Sequence, residues 1–243
     1  MEVREDETLE DLQRNGLRIL QKKAGFRFSM DAVLLADFSR AHPGDIIADL
    51  GTGTAVLPLL LCGRGRGRKF YAFEIQPEMA DMAARSVKLN GLSERIEIIN
   101  DDVANISDYL KAQSLDAVVC NPPFITPNQD APRGDPSRRI SMHQGGDTLN
   151  VFLKAAAYGL AGKGKLFMVY NAENLTELMT LLCNYHLEPK RLRFVHAREG
   201  LPARRVLLEA VKDGKPGLEI QYPLVLQTSD GNLTNEHESI YNN

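Results

Sequence analysis

The chain has 243 residues, 43% hydrophobic and 25% charged, with a net charge of −3. This is ordinary globular composition with enough apolar material for a sizeable core. The slight negative charge gives no overall nucleic-acid footprint and argues against non-specific duplex binding, though a local basic face remains open.

The first twelve residues, MEVREDETLEDL, are acidic, unlike a secretory signal, and no apolar stretch is long enough to span a bilayer. A cytoplasmic protein without a membrane partner is expected. Phe26 to Asp31 precede an apolar helix, Ala32–Phe38, for which Ser29 or Asp31 is a candidate N-cap. From position 45 strands and helices alternate. Strands are expected at Ile46–Leu50, Phe70–Glu74, Ile96–Asn100, Leu115–Cys120 and Lys165–Tyr170. Helices are expected at Val56–Cys62, Pro77–Asn90, Val103–Lys111, Leu149–Leu160 and Leu175–His186. Pro77 and Gly91 bracket one helix in the usual order.

Arg191–His196 and Arg204–Val211 then read as two strands with no helix between them, an antiparallel hairpin at the end of the sheet. The fold class is therefore α/β: a doubly wound, seven-stranded, mainly parallel sheet finished by a hairpin. Residues 1–227 form one domain, with 1–44 as an N-terminal cap and 45–227 as the core. The tail 228–243 is polar and expected to fray. Cys62, Cys120 and Cys183 are far apart in apolar segments and read as small buried hydrophobes, so no metal site is expected.

Asp49-Leu50-Gly51-Thr52-Gly53 lies where the first core strand turns into its helix. The two glycines let backbone approach a ligand. Val56 stands where a dinucleotide fingerprint would place its third glycine, which disfavours NAD. Glu74 ends the next strand, where a carboxylate can accept from both ribose hydroxyls. Asp102, with Asp101 as competitor, follows the third and can accept from an adenine amino group. S-adenosylmethionine suits this set, since it has a ribose and an adenine but no pyrophosphate. The candidate cofactor residues are Asp31, Asp49, Gly51, Thr52, Gly53, Glu74, Ile75, Asp101, Asp102, Val103 and Asn121.

Asn121-Pro122-Pro123-Phe124 follows the fourth core strand. At the C-terminal edge of an open α/β sheet, an amide oxygen, a proline carbonyl and an aromatic face can grip a planar group bearing an NH2. All four residues are candidate catalytic residues for amino-group methylation. The alternative is a rigid turn with a buried ring. The connection Ile125–Asp147 is too long for an ordinary link and carries Arg133, Arg138, Arg139 and His143, candidate RNA contacts. Arg191 and Arg193 share a strand face in a second basic cluster with Lys190, His196, Arg198, Arg204 and Arg205; RNA contact and solvated edge charges both remain open. Arg64-Gly65-Arg66-Gly67-Arg68-Lys69 reads as a solvated turn away from the active edge.

The motif order Asp49-Leu50-Gly51-Thr52-Gly53, Glu74, Asp102 and Asn121-Pro122-Pro123-Phe124 resembles class I, Rossmann-like, S-adenosylmethionine-dependent amino-methyltransferases. Phe28–Ala36, Arg138-Arg139 to His143, and Glu209–Leu218 narrow the resemblance to the bacterial tRNA1(Val) adenine-37-N6 methyltransferase family. That resemblance implies transfer to the exocyclic amine of an adenosine in tRNA, with tRNA as partner. Guanine-N2 methylation of ribosomal RNA, DNA adenine methylation, glutamine methylation of a protein, and simple RNA or S-adenosylmethionine binding are the competing readings.

Overall fold

The computed structural model describes residues 3–24, 30–123 and 148–242. Five adjacent strands form one parallel block of the main sheet: β3 (Ile46–Leu50), β4 (Lys69–Phe73), β5 (Ile96–Ile99), β6 (Leu115–Cys120) and β7 (Leu160–Asn171). Their apolar runs need burial on both faces. Ile47, Phe70, Val119 and Phe167 pack on one side, and Leu50, Phe73, Val118 and Met168 on the other.

One layer holds α1 (Met30–Phe38), α2 (Val56–Gly63) and α3 (Pro77–Leu89); the other holds the short α4 (Ile106–Tyr109), α5 (Thr148–Gly159) and α6 (Leu175–Asn184). α3 begins on Pro77, and Gly91 beyond its end adopts φ +68°, the asymmetry expected from the sequence. The helix expected over Val103–Lys111 divides into a 3₁₀ turn, Val103–Asn105, and α4.

The terminal hairpin pairs β8 (Leu187–His196) with β9 (Ala203–Lys212), and β9 inserts antiparallel between β7 and β8. Two further two-residue strands, β10 (Glu219–Ile220) and β11 (Leu224–Val225), pair with β8. Among the described residues the sheet is thus nine-stranded rather than seven-stranded, in the order β10-β8-β9-β7-β6-β3-β4-β5 with β11 also on β8. The extra pair is too short to leave a period-2 signal.

The N-terminal cap is a separate hairpin, β1 (Glu7–Asp11) with β2 (Arg18–Lys22), docked on α3. Leu20 packs against Met79 and Met82, and its N–H donates to Ser86 Oγ at 3.0 Å. Burying that side chain is worth about 2 kcal/mol. Buried Glu7 accepts from the Arg85 guanidinium, which holds its carboxyl below the usual range.

The tail does not fray. Its last described segment is helix α7 (Asn235–Asn242), with His237 and Ile240 buried against the layer of α1. The arginine–glycine run is not a solvated turn either. Arg64 pairs with Asp37 at 2.9 Å and donates to the Ile240 carbonyl at 2.9 Å, where Arg14 also donates at 3.2 Å. Arg66 donates to the Ala36 carbonyl at 2.8 Å and to that of Ser39. These cations satisfy carbonyls at the C-terminal ends of α1 and α7, where the helix dipoles favour positive charge. Cys120 is buried and Cys62 half-buried, while Cys183 is exposed on α6, contrary to the expected burial.

Candidate functional site

Because β6, β3, β4 and β5 are adjacent and parallel, their C-terminal ends form one row. Leu50 lies beside Cys120 and Phe73, and Phe73 beside Ile99. The register therefore brings the ends after β6 (Asn121), β3 (Gly51), β4 (Glu74) and β5 (Asn100) to the same edge. The sequence motifs, spread over some seventy positions, become neighbours there.

The glycine loop is held by two backbone bonds, from the Gly51 and Thr52 N–H groups to the Phe73 carbonyl at 3.0 and 2.8 Å. Gly51 has φ +76°, and a Cβ there would come within 3.1 Å of the Phe152 ring on α5. Glycine is required on both counts. Gly53 also has φ +60°, and Ala55 reaches φ +69° despite its methyl group. The loop is braced from outside as well, since Gln21 of β2 donates to the Thr54 hydroxyl. This contact joins residues 33 apart, and no local pattern announces it.

Asp49 is fully buried at the end of β3. Among the described residues neither of its carboxylate oxygens, nor the Thr52 hydroxyl, has a hydrogen-bond partner. Burial pushes the Asp49 carboxyl up to about 7; the nearby Thr52 hydroxyl acts against that rise and the Glu74 charge adds to it. A buried carboxylate without a donor is costly unless something else supplies one.

Glu74 is the opposite case. Its Oε2 accepts from the Gly53 N–H and its Oε1 from the Gln76 N–H, both at 2.9 Å, and Asn100 donates to its carbonyl at 2.7 Å. Burial raises its carboxyl despite these bonds. Each oxygen keeps a second lone pair, so two hydroxyls can still be accepted. Beside it Ile75 is 44% exposed, a large apolar side chain in a row of polar strand ends.

Asp101 and Asp102 differ clearly. Asp101 Oδ1 accepts from the Asp102 N–H and Asn105 Nδ2, and its Oδ2 from the Tyr109 hydroxyl at 2.7 Å. These bonds, Tyr109 first, lower its carboxyl. Asp102 caps the 3₁₀ turn through Oδ1, accepting from the Ala104 N–H at 2.9 Å, and keeps Oδ2 for another donor. Val103 is buried beneath.

Asn121 is half-buried, Pro122 buried and Pro123 exposed. No described residue hydrogen-bonds the Asn121 side chain. Phe124, Arg133, Arg138, Arg139 and His143 lie outside the described residues, as does the candidate cap Ser29. Asp31 is inside the first turn of α1 and pairs with Arg205 Nε at 3.1 Å; Arg205 also donates to Asn171 Oδ1 at 2.7 Å. Asn171 ends β7, so this group stands at the same edge.

The second basic cluster splits. Arg191 is buried, pairs with Glu209 at 2.9 Å, donates to the Phe38 carbonyl at 2.6 Å and lies 4.0 Å above the Phe38 ring. It is a structural cation and has no face toward a phosphate, contrary to the expected RNA role. Arg193 shares its strand face, as the alternation predicts, but binds Glu236 of α7 at 2.6 Å and the Tyr222 carbonyl at 3.0 Å. Arg191 thus ties β8 to β9 and α1, and Arg193 fixes the C-terminal segment.

Among the described residues no group of three or more His, Cys, Asp or Glu side chains is placed to hold a metal ion, and no helix is long and apolar enough to cross a membrane.

This arrangement matches known proteins at several levels. A protein from Porphyromonas gingivalis named tRNA1(Val) (adenine(37)-N6)-methyltransferase is 27% identical over 195 residues, covering 78% of this chain and 76% of its own. A protein of the same name from Tolumonas auensis is 26% identical, covering 89% and 88%. Among solved structures, the predicted O-methyltransferase Atu636 from Agrobacterium tumefaciens superposes with a TM-score of 0.70 at 22% identity, covering 88% of this chain and 96% of its own. TYW2 of M. jannaschii in complex with AdoMet superposes with a TM-score of 0.59 at 14% identity, covering 87% of this chain and 88% of its own. The family model described as Methyltransferase small domain matches residues 29–188. The chain belongs to the methyltransferase small domain family.

Proposed function

We propose that this enzyme transfers a methyl group from S-adenosylmethionine to the exocyclic N6 amine of an adenosine in tRNA, at position 37 of a valine tRNA. The observation that carries this reading is the row of strand ends, with a partnerless buried carboxylate at β3 and an uncommitted amide at β6. The names of the two relatives above support the tRNA adenine as acceptor.

The residues present suit the methyl donor. Gly51 and Gly53 open backbone to it, Asp49 offers its unpaired carboxylate to the ammonium end, and Glu74 has lone pairs for ribose hydroxyls. Ile75 supplies an apolar face for the adenine ring and Asp102 Oδ2 an acceptor for its amine. When bound, S-adenosylmethionine supplies an electrophilic methyl group, so the protein contributes positioning and desolvation rather than a strong nucleophile.

The acceptor amine is a weak nucleophile because its lone pair is delocalised into the ring. Asn121 Oδ1 and the Pro122 carbonyl accept its two hydrogens and favour a pyramidal nitrogen. These bonds strengthen as positive charge develops on nitrogen, which stabilises the transition state more than the ground state. Phe124 stacks on the base, worth about 1–3 kcal/mol. The surplus proton leaves to water after transfer. An anticodon-loop base already lies outside a continuous duplex, so exposing it costs less than flipping a paired base.

The test is incubation with labelled methyl donor and total tRNA, followed by nucleoside analysis. N6-methyladenosine is the expected product; N2-methylguanosine, or label in protein alone, would overturn the assignment. Asn121→Ala is expected to keep donor affinity and reduce transfer by at least about 100-fold.

A further inference from the structure

The tip of the β8–β9 hairpin, residues 197–202 with the first two residues of β9, presents two arginines that the fold does not use. β9 runs antiparallel to β7 with Arg205 opposite Asn171, while Met168 of β7 lies beside Cys120. Arg205 is therefore level with Pro123, and the tip rises from the same edge as the Asn121 turn. Two strand spacings, about 10 Å, separate β9 from β6.

The tip is held in one shape. The Leu201 N–H donates to the Arg198 carbonyl at 3.2 Å, and His196 Nδ1 lies 2.6 Å from the Leu201 carbonyl. The Glu199 N–H donates to the Gln227 carbonyl at 2.8 Å, and its carboxylate accepts from the Ser229 N–H at 3.2 Å. The one acid of the tip is thus turned to the C-terminal segment.

Arg198 and Arg204 are exposed, and among the described residues neither side chain makes an ion pair or hydrogen bond. This separates them from Arg14, Arg64, Arg66, Arg191, Arg193 and Arg205, all of which are engaged. Leu201, between them, is 51% exposed. Arg205 faces α1, so Arg204 points to the opposite layer, where Val206 and Leu208 pack with α5.

We infer that this tip is a docking rim for the phosphodiester backbone of the substrate RNA loop, with Arg198 and Arg204 holding phosphates and Leu201 resting on a sugar or base. The inference deepens the proposed function and rests on it. Two guanidinium forks free of acid suit phosphate oxygens, and such contacts position an RNA without reading its sequence. A rim about 10 Å from the catalytic turn grips nucleotides flanking the target and leaves the target base to Asn121.

The experiment is equilibrium binding of tRNA at several salt concentrations, with donor affinity and thermal stability measured in parallel. The variants are the double substitution Arg198→Ala/Arg204→Ala and, as a control, Lys111→Ala, an exposed cation at the opposite edge. The double variant is expected to lose about tenfold or more in tRNA affinity, with a salt slope shallower by roughly two. Its donor affinity and melting temperature stay at wild-type values, and Lys111→Ala binds tRNA normally. A double variant with wild-type affinity and slope overturns the rim. If the wild-type protein binds the donor but no tRNA, the RNA reading itself fails and takes the rim with it.

Discussion

Two buried polar sites in this molecule have opposite fates. At the end of β3 the Asp49 carboxylate and Thr52 hydroxyl meet no partner among the described residues. On β8 the Arg191 guanidinium is met by the Glu209 carboxylate, the Phe38 carbonyl and the Phe38 ring. The hydrophobic effect tolerates a buried charge only when something compensates it. Where the compensation is internal the residue stabilises the fold. Where it is missing, a ligand is the natural supplier.

The contrast can be broken at either end. The largest effect is expected at the Asn121 turn, where Asn121→Ala should silence the proposed methyl transfer without unfolding the protein; melting temperature and single-turnover rate separate the two. On the structural side, Glu209→Ala strands Arg191 and should cost about 3–5 kcal/mol in denaturant unfolding, with no defect in donor affinity per folded molecule. A loss under about 1 kcal/mol would show that Arg191 is not held as described.

The Asp49 end of this contrast responds to pH. Its folded carboxyl is raised to about 7 from an ordinary 3.8 by burial, so between these values the folded state binds a proton that the unfolded state has released. Its contribution to stability is full below pH 4 and declines as pH rises toward 7, by roughly 4 kcal/mol at most. Asp49→Asn should flatten that part of the stability profile. A cationic donor end would favour the ionised form, so donor binding below pH 7 should release a proton in the wild type and not in Asp49→Asn. Calorimetry in buffers of different ionisation enthalpy detects it.

The smallest expected effect concerns the loop's backbone. Ala55 holds φ +69°, a conformation that costs an L-residue about 1 kcal/mol. Ala55→Gly should raise the melting temperature by about 2–4 °C. Unchanged stability would mean that the methyl group's packing at this buried position offsets the strain.

Much of the site was legible because its signals are local. Glycines at a strand–helix turn, an acid ending the next strand and Asn-Pro-Pro ending the fourth each sit within a few residues of a clear period change. The parallel register then brings them into one row. What escaped was the fate of charge. Arg64, Arg66 and Arg191 look as free in sequence as Arg198 and Arg204, yet the first three are consumed by carbonyls and acids far along the chain. Gln21 on Thr54 escaped for the same reason, while Tyr109 on Asp101, only 8 positions away, depends on how the 3₁₀ turn and α4 aim the ring. The polar tail looked unable to order itself, because its partners, Arg193 and the arginines around Ile240, belong to distant segments.

Local pattern was enough for the alternating α/β rhythm, the reversed hairpin and the residue types that stand at each strand end, since these depend on hydrophobic period and turn residues. It took the folded chain to show which acid of the Asp101–Asp102 pair keeps an oxygen free, which arginines are spent on the fold, and that the last helix is part of it. The arginines and the last helix depend on contacts between residues tens to hundreds of positions apart, and the acid pair on how a 3₁₀ turn and α4 aim Asn105 and Tyr109; a carboxylate or guanidinium carries no local mark of the partner it will meet.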